Sequence, residues 1–434
     1  MAHSNTGNAL TAPIVTVPDS SSPPHSLPKR LRAQRTVAAI FGYFLVLGVA
    51  TVMLGPALPL LAARWSMPDA SLGSLFVAYF AGQFCGAWLA TPKLRTSLIL
   101  GAIVAAFGMS LLAFAGATTA HLALFCAGLG LGAGLAAGNV VVGTLGGDSS
   151  EAPAEQDPAH KVSSRSRNLA LLNVAWGLGA IACPIILSAT LRIHAFDAPP
   201  GQVFFVALAA ALGLSAVMLA LLLPRLSPVP ERSVPLINQR EIPWRIFVLF
   251  GATFMLYVGI ENSLGGWLPT YAQRLSPGVS LAGRASAIAM CFWICELASR
   301  GLTAALIKFV QEQLFYRACL AVLIVAAGTL VLAHHLGTVA IFAVTAVAAF
   351  SLAPVYPLAV SFLLARTGNH PRVGKVFACA SLGGTILPWL TGWLSTHLQS
   401  LRMGLTTPFV GAMLMLLLSL YLPRGEGRRH KASQ

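Results

Sequence analysis

The sequence has very little charge. Only 9% of its 434 residues are Asp, Glu, Lys or Arg, whereas 56% are hydrophobic, and the mean hydropathy is +0.76. Soluble domains carry roughly 25% charged residues. The deficit therefore excludes a soluble protein and predicts an all-α protein with many membrane-spanning segments. No stretch outside the apolar runs is long enough to form a second globular domain.

Cysteine is also scarce, and its spacing does not suit a metal. The seven cysteines all fall in apolar runs, and no two form a CxxC pair. This excludes a disulfide framework and predicts small packing residues. Cys291 and Cys295 share a helix face beside Glu296, but a zinc site requires more donors. We therefore expect neither a metal nor another cofactor.

Signatures of nucleotide binding and of hydrolysis are missing. Without GxxxxGK[ST], ATP-driven pumping has no support. Gly128, Gly130 and Gly132 alternate along the chain, but they lie in an apolar segment with no strand before it, so they predict close helix packing. Nothing supplies a nucleophile with its base, and we do not expect an enzyme.

Apolar runs of about 20 residues predict twelve transmembrane helices. The runs fall into two six-helix bundles, 36–224 and 243–422. Helices 1 to 12 are expected at 36–63, 70–91, 96–116, 121–144, 166–191, 202–224, 243–272, 282–310, 314–334, 337–365, 373–397 and 404–422.

The segments outside the bundles are polar and basic. Residues 1–35 are rich in Ser, Pro and Thr and are expected to form a disordered tail, 225–242 a linker, and 423–434 a second tail. With the N-terminus inside, the inner tails and loops hold most of the 28 Lys and Arg residues. This bias predicts a multi-pass protein of the cell (inner) membrane with both termini cytosolic. It also accounts for the net charge of +15 without nucleic acid as a partner.

Two glycine and proline patterns recur six helices apart. Gly48–Gly55 in helix 1 has the same spacing as Gly259–Gly266 in helix 7. Gly179–Pro184 in helix 5 likewise matches Gly383–Pro388 in helix 11. Such matches predict two copies of one six-helix unit related by pseudo-symmetry.

Helix 7 contains a carboxylate. Glu261 lies within the apolar run 246–268, where a charge costs about 2.5–3.5 kcal/mol on insertion scales. Tyr257 lies one turn before it, Asn262 follows it, and the pair Gly265–Gly266 weakens the helix. A polar, breakable segment predicts a transport site in which Glu261 bonds to substrate or gains and loses a proton. The alternative is a structural carboxylate bonded to a neighbouring helix.

A second polar group lies on helix 8. Trp293, Glu296 and Arg300 share one helical face, and Glu296 and Arg300 are spaced to pair directly. Either this is an internal ion pair that keeps the helix insertable, or it lines and gates a cavity in which Trp293 stacks on the apolar face of a sugar.

Isolated amides and aromatic rings complete the candidate substrate site. Each of them singly is more often a contact between helices. As a set, amides that meet hydroxyls and rings that cover CH faces are typical of a sugar site. The predicted members are Gln83, Asn139, Asn173, Trp176, Tyr257, Glu261, Asn262, Trp267, Trp293, Tyr356 and Trp389.

Several motifs resemble the major facilitator superfamily and, within it, the fucose permease-like branch of sugar/proton symporters and facilitators. The resemblance implies two bundles around a central cavity, lined largely by helices 1, 4, 7 and 10, that opens alternately to the two sides. The motifs are Tyr257–Glu261 with Gly266–Trp267, Trp176–Gly179 with Pro184, Ala353–Pro357, and Gly383–Gly384 with Pro388–Trp389.

The chain departs from that branch in its acidic residues. Fucose permease carries acids on helices 1 and 4, whereas here the helix 1 position that matches Glu261 is Ala50. We therefore expect a monomeric secondary transporter or facilitator for a sugar-like solute, surrounded by membrane lipid. Proton coupling through Glu261 is one possibility; efflux of amphipathic compounds and a non-transporting sensor remain alternatives.

Overall fold

The computed structural model describes residues 29–90, 93–148, 158–193, 198–223, 243–275, 283–306, 309–367 and 373–421. Within these ranges, twelve helices are long and apolar enough to cross a membrane, which confirms the predicted fold class. The expected linker, 225–242, and C-terminal tail, 423–434, lie outside the described residues. Of the expected N-terminal tail, the part from Lys29 onward is already helical.

Nine of the spans are single helices, and three consist of two segments. Helix 1 comprises Lys29–Val52 and Leu54–Trp65, helix 10 comprises Thr338–Leu352 and Val355–Thr367, and helix 12 comprises Leu401–Gly404 and Thr406–Leu420. Helices 2 to 9 and 11 are, in order, Asp69–Leu89, Leu94–Phe114, Thr119–Asp148, Pro158–Thr190, Gln202–Leu222, Trp244–Arg274, Arg284–Leu306, Glu312–Leu332 and Val373–His397.

Helix 7 is continuous from Trp244 to Arg274, although we expect its glycine pair to weaken it. As the sequence predicts, the glycines let neighbouring helices approach closely. A Cβ atom on Gly265 would lie 3.3 Å from the ring of Phe292, and one on Gly266 would lie 2.6 Å from the ring of Phe76. These rings pack against helix 7 at its glycine pair.

The glycines of the two repeated patterns pair with each other inside each half. A Cβ atom on Gly179 of helix 5 would lie 3.0 Å from the Cα atom of Gly48 in helix 1. In the other half, a Cβ atom on Gly383 of helix 11 would lie 3.0 Å from the backbone nitrogen of Gly259 in helix 7. The sequence repeat therefore corresponds to two equivalent helix crossings that only glycine permits.

The two halves contact each other most extensively through helices 2 and 11, the second segment of helix 1 and helix 7, and helices 5 and 8. Gly55 touches helix 7, since its Cβ atom would lie 2.4 Å from the carbonyl oxygen of Gly265. Asp69 of helix 2 accepts hydrogen bonds of 2.5 and 2.7 Å from Arg274 of helix 7, and one of 2.5 Å from Ser395 of helix 11. These contacts lie on the side of the membrane opposite to the chain ends.

Candidate functional site

A cavity of about 220 Å³ lies between the two halves. The resemblance implied a lining from helices 1, 4, 7 and 10, but helices 2, 5 and 8 contribute as well, and helix 10 has no residue among the described lining. The lining consists of Phe44, Thr51, Val52, Phe80, Gln83, Leu135, Asn139, Asn173, Trp176, Val258, Glu261, Asn262, Trp293 and Arg300.

The cavity opens toward the side that holds the chain ends. Its lining residues Asn139 and Asn173 are exposed, and both lie in the halves of helices 4 and 5 nearest that side. On the opposite side, every residue of Leu54–Leu61 in helix 1 and of Ser263–Ala272 in helix 7 is buried. Packing of helices 1 and 7 against each other therefore seals one end of the cavity.

Arg300 connects two carboxylates at the cavity wall. Its Nη2 atom donates to Oε1 of Glu296, which confirms that these two residues pair, and to Oε1 of Glu261 at 3.1 Å. The Tyr257 hydroxyl donates to the same Glu261 oxygen at 2.9 Å and accepts from Arg300 at 3.3 Å. The two polar groups that the sequence places on separate helices thus form one cluster.

The three charged side chains differ in exposure. Glu296 is 2% exposed, Glu261 is 12% exposed and Arg300 is 28% exposed. When both carboxylates are ionised, the cluster carries one excess negative charge in a poorly hydrated place, which is costly. The Arg300 guanidinium also lies 5.9 Å from the ring centroid of Trp176, so it contacts the other half of the protein.

Aromatic residues support the cluster from behind. The rings of Tyr257 and Tyr356 have centroids 5.1 Å apart, and neither residue is part of the cavity lining. Tyr257 holds the Glu261 carboxylate, and Tyr356 packs on Tyr257. Their place in the site is therefore to position the carboxylate, whereas the sequence predicted direct substrate contacts for both.

The amides line the cavity as predicted. The side-chain nitrogens of Asn139, Asn173 and Asn262 each donate to the backbone carbonyl one turn earlier, at 2.8 to 3.0 Å. These bonds hold the amides in fixed orientations. Gln83 differs from them, because its Nε2 atom is buried and has no hydrogen-bond partner among the described residues.

Unpaired donors surround the cavity. Within the described part of the chain, Nε2 of Gln83, Nε1 of Trp293 and Nε of Arg300 are buried and lack partners. The Oε2 atom of Glu296, just behind the lining, is also buried and unpaired. An unpaired buried polar group costs about 1–3 kcal/mol, so such groups call for an explanation. A ligand with several oxygen atoms would satisfy the three donors that line the cavity.

Two predicted members of the site lie elsewhere. Trp267 is fully buried, its indole N–H donates to the Pro388 carbonyl at 2.9 Å, and its ring stacks on Phe76 across the two halves. Trp389 is absent from the lining, and its backbone packs on Gly73. Both predictions are corrected, because neither tryptophan belongs to the described lining of the cavity: Trp267 packs the two halves together, and Trp389 meets helix 2 through its backbone.

The sequence reading missed Thr51. This residue lines the cavity, and its hydroxyl accepts a 2.9 Å hydrogen bond from the indole N–H of Trp176. The internal repeat could have revealed it, because the alignment that pairs Gly48 with Gly259 also pairs Thr51 with Asn262, a predicted site residue. The other missed lining residues are apolar, with no signal in the sequence that separates them from packing residues: Phe44, Val52, Phe80, Leu135 and Val258.

Comparison with known proteins identifies a family and several proteins of similar fold. The family described as the Major Facilitator Superfamily matches residues 39–373. No curated protein matches the chain. A bacterial homolog to the human lysosomal transporter Spinster, in an inward-facing and occupied conformation, has a TM-score of 0.69 at 15% identity, covering 92% of this chain and 97% of its own.

The fucose:proton symporter of E. coli is a second structural neighbour. It has a TM-score of 0.58 at 18% identity, covering 89% of this chain and 98% of its own. At such low identity, both likenesses show the shared fold alone. The family match over residues 39–373 carries the superfamily, and the fucose permease-like branch stays a prediction.

Proposed function

The chain belongs to the major facilitator superfamily and moves small molecules across a membrane by alternating access, and from this premise we propose that its substrate is a monosaccharide or a similar small polyol. We further propose that transport is coupled to protons through the carboxylate cluster at Glu261. From the basic inner loops we infer that the protein lies in the cell inner membrane, with the cavity mouth and both termini on the cytosolic side. The transporter acts as a monomer.

The observation that carries this proposal is the combination of unpaired donors with a small cavity. Gln83, Trp293 and Arg300 all line one cavity of about 220 Å³, and each carries a buried donor that lacks a partner among the described residues. Sites for drug-sized ligands span about 300–1,000 Å³, so this cavity favours a smaller solute over an amphipathic drug. Hydroxyl and ring oxygens would pair with the donors, while the rings of Trp176 and Trp293 offer apolar surfaces to CH groups.

The substrate class is tested first by binding. The purified protein is screened by thermal shift against monosaccharides, beginning with L-fucose and D-glucose, then disaccharides and amphipathic drugs. We expect a monosaccharide to raise the melting temperature. Stabilisation by amphipathic drugs alone would replace the sugar proposal with efflux. A ligand that binds without any flux in liposomes would indicate a sensor.

The coupling is tested with Glu261→Gln in liposomes. We expect this variant to lose accumulation of the selected sugar driven by a pH gradient, and to retain counterflow exchange. The neutral amide keeps the volume of the side chain but cannot exchange a proton. Glu312→Gln is the matched control, because Glu312 is an exposed acid at the start of helix 9. Undiminished accumulation in Glu261→Gln would remove Glu261 from the mechanism.

A further inference from the structure

We propose that Glu261 and Glu296 form one proton-binding pair around Arg300, and that Glu296 holds the proton in this conformation. The proposal deepens the proposed function and rests on the coupling to protons. Glu296 itself is not part of the cavity lining, so its contribution is to carry charge rather than to touch the solute.

Both carboxylates depend on a single cationic atom. Oε1 of Glu296 and Oε1 of Glu261 accept hydrogen bonds from the same Nη2 atom of Arg300. Two ionised carboxylates and one guanidinium leave an excess charge of minus one. Like charges held this close cannot both stay ionised without cost, so the pair takes up one proton.

No second cation neutralises the pair among the described residues. Arg64 of helix 1 donates to backbone carbonyls at the end of helix 3. Arg274 binds Asp69 on the far side of the membrane, and Arg366 lies over a phenylalanine ring of helix 7. Arg300 is therefore the one positive charge that reaches the two carboxylates within the described structure.

The remaining ionisable groups around Glu296 are weak acids. Helices 5, 7 and 10 and the second segment of helix 1 pack against helix 8. The first segment of helix 10, Thr338–Leu352, contains no ionisable side chain. Tyr257 on helix 7 bonds to Glu261, and Tyr356 on helix 10 packs on Tyr257. Helix 8 itself carries Cys291 and Cys295, and the described part of helix 5 carries Cys183.

The two carboxylates are not equivalent, and the difference assigns the proton. Glu261 accepts hydrogen bonds from the Tyr257 hydroxyl and from Arg300, and it is partly exposed to the cavity. Glu296 is 2% exposed, and its Oε2 atom is buried with no donor among the described residues. A bare anionic oxygen away from water costs far more than a neutral hydroxyl in the same place. Protonation of Oε2 is therefore the less costly way to neutralise the pair.

Arg300 connects the proton to the substrate. Its guanidinium lines the cavity, and its Nε atom has no partner among the described residues. A sugar oxygen that accepts from Arg300 competes with Glu296 for the same guanidinium. Because a protonated Glu296 is neutral, it competes less strongly than an anion would, and Arg300 can donate to the sugar. By linkage, a bound sugar favours retention of the proton on Glu296 equally, and loss of the sugar favours its release to the aqueous mouth.

The location of the proton is tested by infrared difference spectroscopy of the purified protein in nanodiscs. Spectra at neutral and at alkaline pH are compared, and no ligand is added. We expect the wild type to show the carbonyl band of a protonated carboxylic acid at neutral pH. Glu296→Asp keeps the carboxyl group and should displace this band, whereas Glu261→Asp should leave it nearly unmoved. A larger displacement in Glu261→Asp, or no band in the wild type, overturns the assignment.

The pairing is tested with the two amide variants in the same experiment. Glu296→Gln and Glu261→Gln each leave one carboxylate for one guanidinium, so the excess charge disappears and both variants should lose the band. A band that persists in both amide variants contradicts a shared proton. The aspartate variants retain the carboxyl group. If an amide variant fails to fold, they therefore still show which carboxylate holds the proton.

Liposome flux separates failure of this inference from failure of the proposed function. If the wild type shows no response to a pH gradient with the selected sugar, the proposed coupling fails. If the wild type responds and Glu296→Gln accumulates the sugar as well as the wild type does, coupling stands and the role of Glu296 is overturned. We expect Glu296→Gln to lose accumulation and to retain counterflow.

Discussion

Helices 1 and 7 contain two glycines at the same spacing, but they differ in the polar side chains between those glycines. Gly48 packs on helix 5 as Gly259 packs on helix 11. Where helix 7 has Glu261, helix 1 has Ala50, whose backbone carbonyl accepts a 2.8 Å hydrogen bond from the buried Tyr79 hydroxyl. Helix 1 is interrupted at Met53, whereas helix 7 continues to Arg274.

This comparison extends to the two walls of the cavity. Among the described lining residues, those of the first half carry no charge, and their polar members are Thr51, Gln83, Asn139, Asn173 and Trp176. The wall from the second half holds Glu261 and Arg300, with Glu296 behind them. A shared scaffold thus lets one wall supply neutral hydrogen bonds and the other supply charge. Three changes test whether this division is real.

The largest effect is expected from Arg300→Met. The substitution leaves two carboxylates without a cation, and breaking a buried ion pair costs about 3–5 kcal/mol. Transport should be lost and the melting temperature should fall sharply. Adding Glu296→Gln and Glu261→Gln to this variant should restore part of the stability, because the uncompensated charges are gone. Equal stability of Arg300→Met and the wild type would show that the cluster is hydrated.

A smaller loss of stability is expected from Gly383→Ala. The added Cβ atom would lie 1.7 Å from a backbone carbonyl oxygen of helix 7, so the helices must move apart. Overpacking of this kind costs about 1–3 kcal/mol. Gly48→Ala in the first half should cost a similar amount if the two crossings are equivalent. Gly213→Ala is the control, since nothing lies within 4 Å of its added atom, and thermal unfolding in detergent measures all three.

The smallest effect is expected from Gln83→Ala. A neutral hydrogen bond contributes about 0.5–1.5 kcal/mol, so sugar affinity should fall about 2- to 10-fold while coupling to protons remains. The exposed Gln311 supplies the control variant Gln311→Ala. Loss of pH dependence in Gln83→Ala would contradict the division, because it would give the uncharged wall a part in proton coupling.

Much of the site was predictable because its signals are local. A carboxylate inside an apolar run is conspicuous whatever the fold, and Glu296 and Arg300 are close through helical spacing alone. The tryptophans were less predictable. Trp176 and Trp293 line the cavity, but Trp267 turns its ring toward Phe76, and nothing in the sequence distinguishes these environments.

The sequence by itself determined the twelve helices and the glycine repeat, because hydrophobic length and residue spacing act within single segments, and its motifs pointed to the superfamily by resemblance. Only the tertiary structure decided that Glu261 and Glu296 share Arg300, that Thr51 joins the cavity, and that Trp267 and Trp389 leave it. The physical reason is that these facts depend on how each helix is rotated about its axis against its neighbours. Packing of the whole bundle sets that rotation, and no single helix encodes it.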